Sequence, residues 1–212
     1  MSHAVAVRPE PLPTFVAPMA RVAGVAGVSG SARTAAIVVD QRPGTRLDAK
    51  TTLEKMRQRV HEQLALPIVW ETARGIVVRV TPRDEIGQAR AIREWCAVRF
   101  RFINDPLWTQ LLTTPVYNLT KIRDQGFVQG NCADAAMLTA ALCGAIRIPS
   151  TFVTVAFPDP RYPLGLEPYA HVFAIAYPRQ QSCCARAAVE MDITRPPQVR
   201  HARFTRRLRV EV

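Results

Sequence analysis

The chain has 212 residues and a mass of 23.6 kDa, room for one ordinary domain of roughly 100–150 residues plus extensions. Hydrophobic residues at 48% and charged residues at 21% exclude a wholly disordered chain. No apolar run approaches the roughly 20 residues of a membrane span. The net charge of +11 invites a nucleic-acid reading, yet Lys50, Lys55 and Lys121 are the only lysines. An arginine bias of this kind follows from a GC-rich gene as readily as from phosphate contacts, so charge alone selects no partner.

Residues 1–45 are rich in Ala, Val, Pro and Gly and sustain no periodicity, except at residues 35–39. They read as a flexible arm, or as one ordered against a partner. Arg8, Pro9, Pro11 and Pro13 come too early for a secretion signal. Residues 47–64 predict an amphipathic helix, with Leu53, Met56, Val60 and Leu64 spaced by three and four and Pro67 as its stop. Residues 68–70 and 75–80 read as strands. Thr81-Pro82-Arg83-Asp84-Glu85 opens a second helix, with Thr81 as N-cap. Its buried face carries Ile86, Ala89, Ile92, Cys96 and Phe100, and Asn104-Asp105-Pro106 ends it. Residues 107–129 read as irregular, punctuated by Thr113-Thr114-Pro115 and Gly126.

Residues 130–146 differ in kind. Cys132, Ala135, Ala136, Met137, Leu138, Ala140, Ala141, Leu142, Cys143 and Ile146 leave almost no polar face, the mark of a central, buried helix. Strands follow at residues 150–157, 170–177 and 187–193, the last closed by Pro196-Pro197. Residues 200–212 form a basic tail with Arg200, Arg203, Arg206, Arg207 and Arg209. The expected organisation is therefore an N-terminal arm (1–45), a globular domain (46–199) and a basic tail (200–212).

Five cysteines, an odd count, fit a reducing compartment better than a disulfide framework. Cys96 and Cys143 fall inside apolar helical patterns and read as buried thiols. Cys183 and Cys184 sit on a polar turn without metal-ligand spacing. Cys132 is different, because it stands in the first turn of the buried helix after Gly130-Asn131. There the helix dipole and free backbone N–H groups favour a thiolate and can hold an oxyanion. His171 is the one histidine in an ordered apolar context, since His3 and His201 lie in the terminal segments and His61 on an exposed helix face. A hairpin centred between Gln181 and Ser182 sets Tyr177 opposite Arg186 and His171 directly opposite Asp192. The carboxylate would fix the imidazole tautomer while the other ring nitrogen faces Cys132. Asp134 reads as a helix N-terminal charge.

The run from Gly130-Asn131-Cys132 through Leu142, then Ile148-Pro149 and Phe152-Val153, resembles the core of the transglutaminase-like superfamily. His171-Val172-Phe173 is similar to that family's His-Val-aromatic strand, and Met191-Asp192-Ile193-Thr194 to its Leu-Asp-Pro-Thr end. Arg101 to Pro106 with Thr113-Thr114-Pro115 resembles the variant found in bacteriophage and prophage genes. The match spans roughly residues 80–195. It departs from the family pattern at Asn131, where an acid is usual, and at Arg147, where glycine is common. A side-chain oxyanion donor, expected near Thr113, is not assigned; Trp95, Trp108 and Tyr117 are its stand-ins.

The resemblance implies an α+β, papain-like fold: a buried helix carrying Cys132 packed on an antiparallel sheet carrying His171 and Asp192. It implies a cysteine-dependent amide hydrolase or acyltransferase (protease, deamidase or transglutaminase type) with no metal and no organic cofactor. The expected partner is a protein or peptide substrate, with phage structural proteins as further partners through the arm and tail. Nucleic acid is not favoured and no membrane is expected. The implied location is the bacterial cytoplasm of a phage host, or the virion. The alternative is a structural or assembly component of a phage particle, built on the same fold with little or no turnover.

Overall fold

The computed structural model describes residues 37–40, 49–104, 109–158, 160–161, 164, 169–180, 185–194 and 206–212, all within the unit Thr34–Val212. Of the arm expected over residues 1–45, residues 1–36 and 41–45 lie outside the described residues, as do Cys183, Cys184, Trp108, His3 and His201, whereas residues 37–40 form a strand paired with residues 109–112.

The architecture is mixed helix and sheet. Strand β1 (Ile37–Asp40) is followed by three helices, α1 (Ala49–Gln63), α2 (Pro67–Val77) and α3 (Glu85–Arg99). Strands β2 (Phe100–Phe102) and β3 (Thr109–Leu112) lead to helix α4 (Pro115–Gln125). Strand β4 (Val128–Gly130) then feeds helix α5 (Cys132–Ala145). Strands β5 (Ser150–Ala156), β6 (His171–Ala176), β7 (Val189–Glu190) and β8 (Arg206–Glu211) complete the chain. The main sheet has the order β7-β6-β5-β8 and is antiparallel throughout. Two smaller ladders join β1 to β3 antiparallel and β2 to β4 parallel.

Helix α5 is the centre of the molecule. From Ala133 to Cys143 every residue is buried, and helices α1, α2, α3 and α4 pack around it together with β5 and β6. Its composition explains this: a helix with no polar face is stable only when surrounded. Truncating a fully buried Met137, Leu138 or Leu142 would cost about 2–5 kcal/mol each. In the main sheet Phe152, Val172, Ala174 and Ala176 join this core, whereas Val153, Val155, Phe173 and Ile175 form a second cluster, as the period-2 alternation of strands requires. Among the described residues no helix is long and apolar enough to cross a membrane.

Several expectations need correction. Residues 68–70 and 75–80 do not form strands; residues 67–77 are helix α2, with Pro67 at its first turn and Val69 and Ala73 buried one turn apart. Pro67 is thus a helix start, its missing N–H costing nothing there. The following helix begins later than Thr81, because Asp84 is the N-cap, accepting from the Gly87 amide at 2.9 Å. It ends at Arg99, where Phe100 turns into β2. The segment read as irregular holds β3, α4 and β4: Thr114 caps α4, Pro115 occupies its first turn, and Gly126 closes it at φ 80, a left-handed position suited to glycine. The basic run is not a free tail, since residues 206–211 pair along β5, with Leu208 and Val210 packed against the core. The globular part therefore extends past residue 199.

Candidate active site

Three elements meet at the N-terminal end of α5. Strand β4 delivers Gly130, whose position is fixed by close approach: a Cβ there would meet Asp134 Oδ2 at 2.7 Å and Phe100 at 3.1 Å. Asn131 caps the helix, its Oδ1 accepting from the amides of Ala133 (2.9 Å) and Asp134 (3.0 Å). Asp134 answers by accepting from the Asn131 amide at 3.1 Å, which completes a capping box. Asn131 Nδ2 also donates to the Leu111 carbonyl at 2.9 Å. An aspartate could not make that bond, which accounts for asparagine at this position. The other Asp134 oxygen accepts from the Thr113 amide at 2.6 Å. Asp134, expected as a helix-terminal charge, therefore also ties the loop after β3 to the helix. Thr113 spends its hydroxyl on Asn118 Oδ1 at 2.8 Å.

Cys132 is the first residue of α5 and is half-buried. Its own amide N–H finds no acceptor among the described residues, which leaves that donor available to an anion at the helix start. Cys132 lies near enough to His171 to raise the imidazole's pKa. The Nε2 of His171 is 2.7 Å from Asp192 Oδ2, which leaves Nδ1 as the ring nitrogen free for the sulphur. Asp192 is almost wholly buried, its side chain 1% exposed and that of His171 10%. Its second oxygen accepts from the Thr194 amide at 3.0 Å and the Thr194 hydroxyl at 3.1 Å. Two rings flank the imidazole: Phe173 at 5.8 Å between centroids, stacked, and Phe157 at 6.5 Å, tilted.

The three residues selected from sequence are thus brought together, but through a different register. Ile175 pairs with Glu190, Ala176 with Val189, and the bridge Arg179–Arg186 continues the ladder. Extended past the Met191 amide's bond to Ala174, this register puts Asp192 beside Phe173 rather than opposite His171. The slip is of two residues, so the side chains keep their common face and meet diagonally.

The electrostatics follow from these contacts. Burial pulls the His171 pKa down, but hydrogen bonds to Asp192 and Cys132 and their negative charges outweigh it and lift it to about 9. Burial pushes Asp192 up, yet the His171 hydrogen bond and charge and the two Thr194 bonds hold it below the usual carboxylate range. Cys96 and Cys143 are pushed up by burial, Cys143 to about 12, which makes both inert as nucleophiles. Among the described residues no three His, Cys, Asp or Glu side chains cluster to hold a metal. Comparisons of the chain with family models, curated proteins and solved structures find no match.

Proposed function

We propose that the protein is a cysteine-dependent amide hydrolase or acyltransferase on a papain-like, transglutaminase-like fold. The observation that carries this reading is the contiguous chain from Cys132 at a buried helix N-terminus through His171 to Asp192. A thiol, an imidazole held as a cation and a buried carboxylate in that order form an activated nucleophile with its base and orienting group.

In this reaction the Cys132 sulphur, having ceded its proton to His171, attacks the amide carbonyl carbon. The carbonyl oxygen becomes an oxyanion held by the Cys132 amide at the positive end of α5. His171 then gives its proton to the departing amine as the C–N bond breaks, leaving an acyl thioester. Water or an amine, deprotonated by His171, attacks the thioester and returns the thiol. Water gives proteolysis or deamidation, and an amine gives cross-linking. Asp192 holds the ring in the orientation that aims Nδ1 at the sulphur.

The test is alkylation of the full chain by iodoacetamide at pH 6, followed by mapping of the modified residue. Cys132 is expected to react at least ten times faster than free cysteine, and His171→Ala to abolish the advantage. A Cys132 no faster than free cysteine overturns the reading and favours the structural alternative.

A further inference from the structure

The parallel ladder of β2 and β4 has two faces, and the one that leads to Cys132 is only partly covered. Phe100 pairs with Val128 and Phe102 with Gly130, so alternation puts these four residues on one face and Arg101 and Gln129 on the other. Asn131 is extended, at φ −92 and ψ −174. The alternation therefore runs on through it, and Cys132 emerges on the face of Gly130. Burial changes abruptly along that face. Phe100, Val128 and Gly130 are buried and Cys132 is half-buried, whereas Phe102 is 49% exposed.

Contact across this ladder is diagonal. The Cζ of Phe100 lies 3.1 Å from the point a Gly130 Cβ would occupy, although its ladder partner is Val128. The side chain thus reaches across the ladder and one pair onward, toward α5. Phe102 stands to Cys132 as Phe100 stands to Gly130, one strand over and two residues back. A ladder step of about 4.8 Å and two extended residues of about 6.6 Å set their α-carbons about 8 Å apart, a gap bridged by a phenyl side chain and a thiol. Gly130, the residue between them, has no side chain to separate ring from sulphur.

What a substrate side chain meets there is carbon. The polar side chains around the thiol are committed to one another and to backbone. Asn131 serves the Ala133 and Asp134 amides and the Leu111 carbonyl, and Asp134 the Asn131 and Thr113 amides. Asp192 serves His171 and Thr194. The imidazole is itself flanked by Phe157 and Phe173. A half-exposed phenyl beside bare glycine backbone offers a bound peptide an apolar surface to bury against.

We propose that Phe102 is a specificity-determining residue of the Cys132 site, its exposed ring forming the wall against which a substrate lays an apolar side chain that flanks the reacting amide. The inference rests on the cysteine-dependent reading above and names its substrate class: a peptide or protein amide with an aromatic or large aliphatic residue next to the bond attacked.

The test uses two series of dipeptide electrophiles on the full chain. Acetylated dipeptide chloromethyl ketones place the varied residue on the acyl side of the reactive carbon, and bromoacetyl dipeptide amides place it on the leaving-group side. In both, the Cys132 sulphur bonds to carbon and halide departs. The varied residue is phenylalanine or alanine, and each second-order rate at Cys132 is divided by that of free cysteine. The readout is the phenylalanine-to-alanine ratio. In one series it is expected to be about five to ten, the size of one aromatic contact. It should fall toward one in Phe102→Ala and persist in Val78→Ala, which removes exposed apolar surface outside the ladder. Each ratio is taken within one variant, so a general loss of reactivity cancels. A ratio near one in both series, or one unchanged by Phe102→Ala, overturns the role of Phe102 if Cys132 still outpaces free cysteine with iodoacetamide. A slow iodoacetamide reaction overturns the cysteine-dependent reading itself, and the role of Phe102 with it.

Discussion

The two ends of α5 are built to different standards. At the first turn, Asn131 and Asp134 exchange hydrogen bonds in both directions, Asp134 also accepts from the Thr113 amide, and Gly130 sits too close to Asp134 and Phe100 for a side chain. At the last turn the chain leaves through Arg147 at φ 64, a left-handed conformation that disfavours any side chain. Leu64, Gly144, Arg147 and Arg186 there border an open pocket of about 280 Å³. The end that carries Cys132 is tied down by hydrogen bonds and close packing. The other end only has to stop a helix, and it carries strain and empty space.

Removing the sulphur should break this comparison most sharply. Cys132→Ala is expected to lower turnover of an amide substrate by at least ~10⁴-fold, while the thermal midpoint stays within a few degrees. Unfolding of the variant would show instead that the first turn needs the thiol for packing.

Asp192→Asn should cost about 10²–10⁴-fold in turnover and move a pH limit. In the native protein the protonated imidazole persists until pH rises through about 9. The alkaline limb of Cys132 alkylation should therefore lie near 9 and fall by a unit or more in the variant. Stability carries the same signature. A histidine pKa raised on folding stabilises fully below its ordinary value near 6.5 and loses that contribution as pH climbs to about 9. The lowered Asp192 acts oppositely, stabilising above its ordinary value near 3.8 and losing the contribution as pH falls below it. Urea denaturation should show native protein exceeding Asp192→Asn by up to roughly 3 kcal/mol near pH 6, with the gap closing by pH 9.

Smaller effects should separate the two helix ends. Asn131→Ala is expected to cost about 1–2 kcal/mol through the lost cap, and to slow Cys132 alkylation because the helix start loses its tie to Leu111. Arg147→Gly should do the reverse, raising stability by about 1 kcal/mol without changing the alkylation rate. A rate change in Arg147→Gly would mean that the far end also sets the aim of the sulphur.

Much of the site was legible from the chain. The all-apolar stretch of α5 admits only burial, and Gly130-Asn131 ahead of Cys132 marks the helix start. Parity alone put His171 and Asp192 on one face, although their register came out two residues away from the expected pairing. The hairpin loop fixes that offset, and its residues 181–184 carry no turn signal that specifies one length. Helix α2 was misread because Ile68, Val69, Ile76 and Val77 are β-branched, and packing against α3, α4 and α5 overrides that preference. Helix α4 was readable in principle: Thr114-Pro115 and Gly126 are a cap, a first turn and a left-handed stop. The pairing of β8 with β5 was not readable, because arginines at 206, 207 and 209 conceal the alternating Leu208, Val210 and Val212 that face the core.

The burial of α5 on all sides has one more consequence. The helix has no solvent-facing surface along which to slide or roll, so the position of the Cys132 sulphur relative to His171 is inherited from the fit of Met137, Leu138 and Leu142 among their neighbours. On the proposed reading, dimensional tolerances in the core become tolerances of the reaction: a displacement of an ångström passed from the centre of α5 to the thiol would cost on the order of 10²-fold in rate.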